Sequence, residues 1–137
     1  MLTDLVFAAA DEAWQIARTA VPWETYGGLD LHGIDAVKLG KLHGLLGGAD
    51  TELAWAEEPA VYASDDGPWV YVLPATFVLR LAALDTAVLA ALAGSWIRSE
   101  DFDEWEPAAV RLALGEMVAL AREAQAGAAT MYLWEAL

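Results

Sequence analysis

Between Thr3 and Ala20 the apolar positions Leu2, Leu5, Val6, Ala9, Ala13, Ile16, Ala17 and Ala20 fall three and four apart, with Phe7 and Trp14 widening the face. That spacing predicts a helix, capped by Thr3 or Asp4 and stopped where Val21 precedes Pro22. The next segment, Pro22 to Gly33, mixes two aromatics, three glycines and two acids without helical or strand periodicity. It reads as a loop, of a length that in small domains often carries function. Asp35 then stands as an N-cap, with Ile34 and Leu39 spaced as a hydrophobic staple. Leu39, Leu42, Leu45 and Leu46 carry the apolar face to a stop at Gly47 and Gly48. Gly40 and Gly44 share one face of this helix. Each costs about 1 kcal/mol relative to Ala in a helix interior, so the pair predicts close approach by another segment.

From Thr51 to Leu73 the pattern changes to that of a sheet. Leu53–Glu57, Val61–Ser64 and Trp69–Leu73 are the expected strands, the last two joined by a hairpin turn at Asp65-Asp66-Gly67-Pro68. Both faces of Trp69–Leu73 are apolar, as in an interior strand. Beyond Pro74 helices return: one over Ala75–Ala83, and one capped by Asp85 with Leu89, Leu92, Ala93 and Trp96 on a single face. Pro107 suits the first turn of a long third helix, whose stripe is Val110, Leu114, Met117, Ala121 and Ala124 and whose end is Gly127. Thr130–Trp134 is a closing strand, expected beside Trp69–Leu73. These elements imply one α+β domain spanning residues 1–137, with a small, mainly antiparallel sheet of three or four strands packed with about five helices.

Composition narrows the function. With 58% apolar and 20% charged residues in 137, the chain can bury a core despite a net charge of -14. It has no cysteine, which removes disulfides and thiolate chemistry and suits a cytoplasmic protein. The first ten residues lack the Lys or Arg of a signal peptide. Apolar runs are broken by charge well before the ~20 residues of a membrane span. Twenty-one acids against seven bases argue against nucleic acid as a partner, because phosphate binding needs Lys and Arg. The acidity is also segregated. Leu42 to Leu79 holds six acids and no Lys or Arg, and Ser99 to Val110 five acids and no base.

Catalytic and cofactor signatures are missing from the sequence. His32 and His43 match no metal-ligand spacing, and Ser64, Ser95 and Ser99 lie in no nucleophile motif. Gly40-Lys41 is not followed by the Ser or Thr of a phosphate-binding loop. No catalytic residue, metal or cofactor is therefore assigned. The most distinctive feature is Glu100-Asp101-Phe102-Asp103-Glu104-Trp105-Glu106, in which two aromatics alternate with carboxylates. Three readings compete for it: a cation site, a cluster at a helix start, and a contact surface. The contact reading takes Glu100, Asp101, Phe102, Asp103, Glu104 and Trp105, adds Trp23 as an exposed aromatic, and adds Asp65 and Asp66 from the other base-free stretch.

The stretch VYVLPATFVLRLAALD, followed by LAGSWIRSE, the last helix and TMYLWEAL, resembles small bacterial cytosolic proteins, some of them immunity proteins of toxin systems. The resemblance covers the C-terminal half and rests on Trp and Leu spacing. It implies a non-enzymatic protein that neutralises a toxin. Together with the charge segregation, the leading expectation is an acidic domain that binds a protein partner with a basic surface, as an inhibitor or immunity protein would. Two other classes remain open. One is a small-molecule-binding domain or small enzyme with a pocket near residues 22–33, using Glu24, Tyr26, Asp30 and His32. The other is a structural homo-oligomer.

Overall fold

The computed structural model describes residues 1–47, 51–99, 102 and 105–137. Among them five strands, β1 (Leu2–Ala8), β2 (Gly27–Asp30), β3 (Val61–Tyr62), β4 (Trp69–Val72) and β5 (Thr130–Ala136), make one sheet in the order β2-β1-β5-β4-β3. Every pairing is antiparallel. Seven helices are described with them: α1 (Ala13–Ala17), α2 (Pro22–Thr25), α3 (Ala36–Gly47), α4 (Ala54–Glu57), α5 (Ala75–Ala82), α6 (Thr86–Ser99) and α7 (Pro107–Ala126). The α+β class and the antiparallel sheet agree with the sequence reading, as does the place of β5 beside β4.

Register divides the sheet into two faces. Leu5 lies opposite Leu133 and Phe7 opposite Met131; these side chains meet α3, α5, α6 and α7 in the larger core, which includes Phe77, Trp96, Leu114 and Met117. Val6 and Tyr132, also paired, point the other way. There they join Val61, Val70 and Trp134 in a smaller cluster covered by Ile16 and Ala17 of α1.

The N-terminal third corrects the sequence reading. Thr3 to Ala20 is not one helix but β1 followed by α1, with a positive φ of 65° at Asp11 between them. β1 lies between β2 and β5 and is covered on both faces, so Thr3, Asp4, Leu5 and Val6 are all buried. A strand of this kind loses the two-residue alternation that marks a half-exposed one. Its leucines and alanines then mimic a helical stripe. The segment 22–33 is likewise α2 plus the edge strand β2, and Leu53–Glu57, expected as a strand, contains the single turn α4. These changes account for the fifth strand and for two added short helices.

Buried polar side chains fasten the helices to this sheet. The Glu135 carboxylate accepts a hydrogen bond from the Ala36 amide, 2.6 Å away, one of the N–H groups that a helix start leaves without an internal acceptor. Thr3 Oγ1 accepts from the Gly33 amide at 2.9 Å, and Asp4 accepts from the Trp23 amide at 3.1 Å. Asp35 accepts from the Lys38 amide at 2.9 Å, as an N-cap should. At Gly40 an added Cβ would stand 2.9 Å from the Ala56 Cβ, so this glycine lets α4 lie directly on α3.

Candidate functional site

The base-free stretch from Leu42 to Leu79 folds largely into one edge of the sheet. α4 presents Glu57, with Glu58 directly after it, β3 is the terminal strand, and the β3–β4 turn carries Asp65 and Asp66. All four carboxylates are exposed. Tyr62, 56% exposed, stands beside the turn with its ring centroid 6.1 Å from that of Trp69.

The turn is held by its own hydrogen bonds. Ser64 accepts from the Gly67 amide at 3.0 Å through its carbonyl, and its hydroxyl donates to the Gly67 carbonyl at 2.6 Å. The Trp69 indole N–H donates to the Ser64 carbonyl at 2.9 Å. Gly67 has φ +91°, and a Cβ there would come within 2.9 Å of the Glu135 carbonyl oxygen. The Leu137 amide donates to the Asp66 carbonyl at 3.0 Å, tying the turn to the end of β5. Tyr62 donates to Asp65 at 2.6 Å, and this bond, with the carboxylate charge, holds the phenol pKa above its usual value. The Asp65 carboxylate and the backbone of Asp66 are thus held in place by the turn itself.

The other sequence candidates do not join this edge. Trp23 is 38% exposed on α2 and lies on the sheet face of Val6 and Trp134, held through the Asp4 bond. Phe102 is buried on the opposite side, edge-on to Trp96 at 5.0 Å and to Trp105 at 6.2 Å, with Lys38 Nζ 5.5 Å from its centroid. It is therefore a core residue rather than an exposed contact. Trp105 is half-buried. Glu100, Asp101, Asp103 and Glu104 lie outside the described residues. Sequence reasoning missed two exposed aromatics: Trp14, expected on a buried helix face but 53% exposed at the start of the short α1, and Tyr62, whose outward direction follows from two-residue alternation against buried Val61.

A second feature is a cleft of about 310 Å³ lined by His43, Thr51, Glu52, Trp55 and Arg80. Trp55 Nε1–H donates to His43 Nδ1 at 3.1 Å, so the neutral imidazole carries its proton on Nε2. That atom is buried without a hydrogen-bond partner. The ring stacks on Phe77 at 4.5 Å. Burial pushes the His43 pKa below the usual histidine value, helped by the Arg80 charge. Residues 22–33, the expected pocket loop, line neither this cleft nor the groove between α6 and α7. His32 is exposed, with φ +52° and its ring 3.5 Å from Asp30.

Among the described residues, no group of His, Cys, Asp and Glu side chains is placed to hold a metal ion. Nor is any helix there long and apolar enough to cross a membrane. No protein-family model, curated protein or solved structure matches this chain.

Proposed function

We propose that this protein is a non-enzymatic binding domain that presents its β3 edge to a basic surface on a protein partner, in the manner of an inhibitor or immunity protein. One observation carries the reading: a turn locked by internal hydrogen bonds holds Asp65 and Asp66 exposed next to the Tyr62 ring, and Glu57 and Glu58, also exposed, precede the same edge strand in the chain. Carboxylates on a sheet edge also discourage strand addition by other chains, so recognition would run through side chains. A field of one sign speeds encounter with a basic partner and disfavours acidic ones.

The test is affinity capture from the source cells with the native chain and with a variant carrying Glu57→Lys, Glu58→Lys, Asp65→Lys and Asp66→Lys. The expected result is a basic protein retained by the native chain, released by salt and not retained by the variant. Equal retention by both would defeat the proposal.

The His43 cleft favours a second reading, a site for a small anion beside Arg80 and Thr51. Adding acetate or inorganic phosphate should then shift the Trp55 indole and His43 ring resonances. Unchanged resonances at millimolar anion would dismiss it.

A further inference from the structure

We propose that the cleft between α3, α4 and α5 binds a small organic monocarboxylate, its carboxylate held by His43, Thr51 and Arg80 and its apolar part laid on Trp55 and Pro74. This rests on the reading of the cleft as an anion site and narrows the class of anion. At about 310 Å³ the cleft is at the small end of the range for ligand pockets. That size suits a small metabolite.

Buried donors at the cleft have nothing to bind. His43 is 1% exposed, and its Nδ1 accepts from the Trp55 indole at 3.1 Å, which leaves the proton of the neutral ring on Nε2. Three buried polar side-chain atoms among the described residues have no hydrogen-bond partner: His43 Nε2, Thr51 Oγ1 and Trp134 Nε1. Such atoms destabilise a fold, and native structures hold few of them. Two of the three belong to residues that line this one cleft.

Gly47, the last residue of α3, lets the donors converge. A Cβ there would collide with Thr51 Oγ1 and stand 2.6 Å from Arg80 Nη1. The hydroxyl and the guanidinium therefore share the space that a side chain would fill. Arg80 also lies close enough to His43 to add, after burial, to the lowering of its pKa.

Charge chooses among anions. The lining carries one cation, Arg80, and one anion, Glu52, whose carboxylate accepts from the Ala54 amide at 2.9 Å. His43 and Thr51 add donors without charge. Arg80 neutralises a monocarboxylate and matches its two oxygens, whereas a phosphate dianion brings an uncompensated charge to a lining that already holds Glu52. Trp55 and Pro74 supply an apolar wall, which favours an anion with an apolar body.

Titration of the full chain with benzoate at about pH 8, followed by the Trp55 indole and His43 ring resonances, tests the site, with acetate, benzamide and inorganic phosphate as parallel probes. Benzoate should bind about tenfold or more tighter than acetate, which lacks the ring, than benzamide, which lacks the charge, and than phosphate. Arg80→Gln, at an exposed position, should abolish the preference for benzoate over benzamide. Thr51→Val should weaken benzoate about fivefold or more while raising the Tm of the free chain, because it removes a buried hydroxyl without a partner; a hydroxyl that serves only the fold would lower Tm when lost. Phosphate as tight as benzoate, benzoate no tighter than acetate, or benzoate binding indifferent to Arg80→Gln would overturn the inference and leave the anion reading standing. Unchanged resonances with every anion at millimolar concentration would defeat both.

Discussion

The β3 edge and the outer face of α7 both expose a large apolar side chain, Tyr62 in one and Leu112 in the other, but they surround it differently. Beside Tyr62 stand the carboxylates of Asp65 and Asp66, whereas Leu112 lies between one arginine and one glutamate on α7. Two copies of the β3 edge would repel each other through charges of one sign, whereas the α7 face carries one charge of each sign. A one-signed surface therefore suits a partner of opposite charge. Glycine serves the two regions in different ways. At Gly67 the backbone conformation and a neighbouring carbonyl demand it, whereas at Gly115 nothing within the chain does.

The largest expected effect separates the two regions through their anchors. Trp96 is fully buried, and its indole N–H donates to the Lys38 carbonyl at 2.8 Å, fixing α6 to α3. Trp96→Ala should lower stability by about 3–5 kcal/mol in urea titration. Amide exchange should rise in α6, next to the α7 face, more than in β4. Equal exchange in both would mean that the regions share one cooperative unit.

Salt should divide them next. Raising ionic strength from about 0.01 to 1 M shortens the screening length from about 30 to 3 Å. Partner capture at the β3 edge should weaken on the order of a hundredfold by biolayer interferometry, with a much smaller change in the stability measured by urea titration. The two glycines give a smaller contrast. Gly67→Ala should cost about 1–3 kcal/mol, because φ is positive and Glu135 O is close. Gly115→Ala should instead raise stability by up to about 1 kcal/mol.

The smallest effects are those of pH. The folded-state pKa of His43 is lowered by burial, so in acid the unfolded chain binds the extra proton first. Its contribution is complete above about 6.5 and is lost as pH falls through the lowered folded value. Glu135 behaves oppositely, its pKa raised mainly by burial and further by Asp35. Its contribution is complete below about 4.5 and is lost as pH rises through the raised folded value. Glu135→Gln keeps an acceptor for the Ala36 amide and should raise Tm at neutral pH. Burial raises the Asp4 pKa as well, so with Asp4→Asn added the profile below neutrality should fall only toward acid, where a flat one would contradict the His43 assignment.

Legibility followed the locality of the signal. The three C-terminal helices announce themselves through Pro74, Asp85, Pro107 and Gly127, and the hairpin through its Asp-Asp-Gly-Pro turn. In α7, every residue of the expected stripe is buried. Asp65 and Asp66 were identifiable from the base-free stretch. Phe102 was misread because its acidic neighbours suggest an exposed surface, while its ring reaches inward to Trp96. β1 was misread because a central strand and an apolar helix share the same composition.

By itself the sequence determined the class of fold, the order of its later elements and the segregation of acid, since caps, turns and charge act over a few residues. Tertiary structure decided that β1 is a strand between β2 and β5, because pairing partners 20 and 130 residues away satisfy its backbone. It decided that Phe102 packs in the larger core against Trp96, while Asp65 and Asp66 stand exposed in the turn at the sheet edge. And it decided that a Cβ at Gly115 would meet Leu89 at an ordinary 3.8 Å, because only the arrangement of α6 against α7 shows how closely the two helices approach.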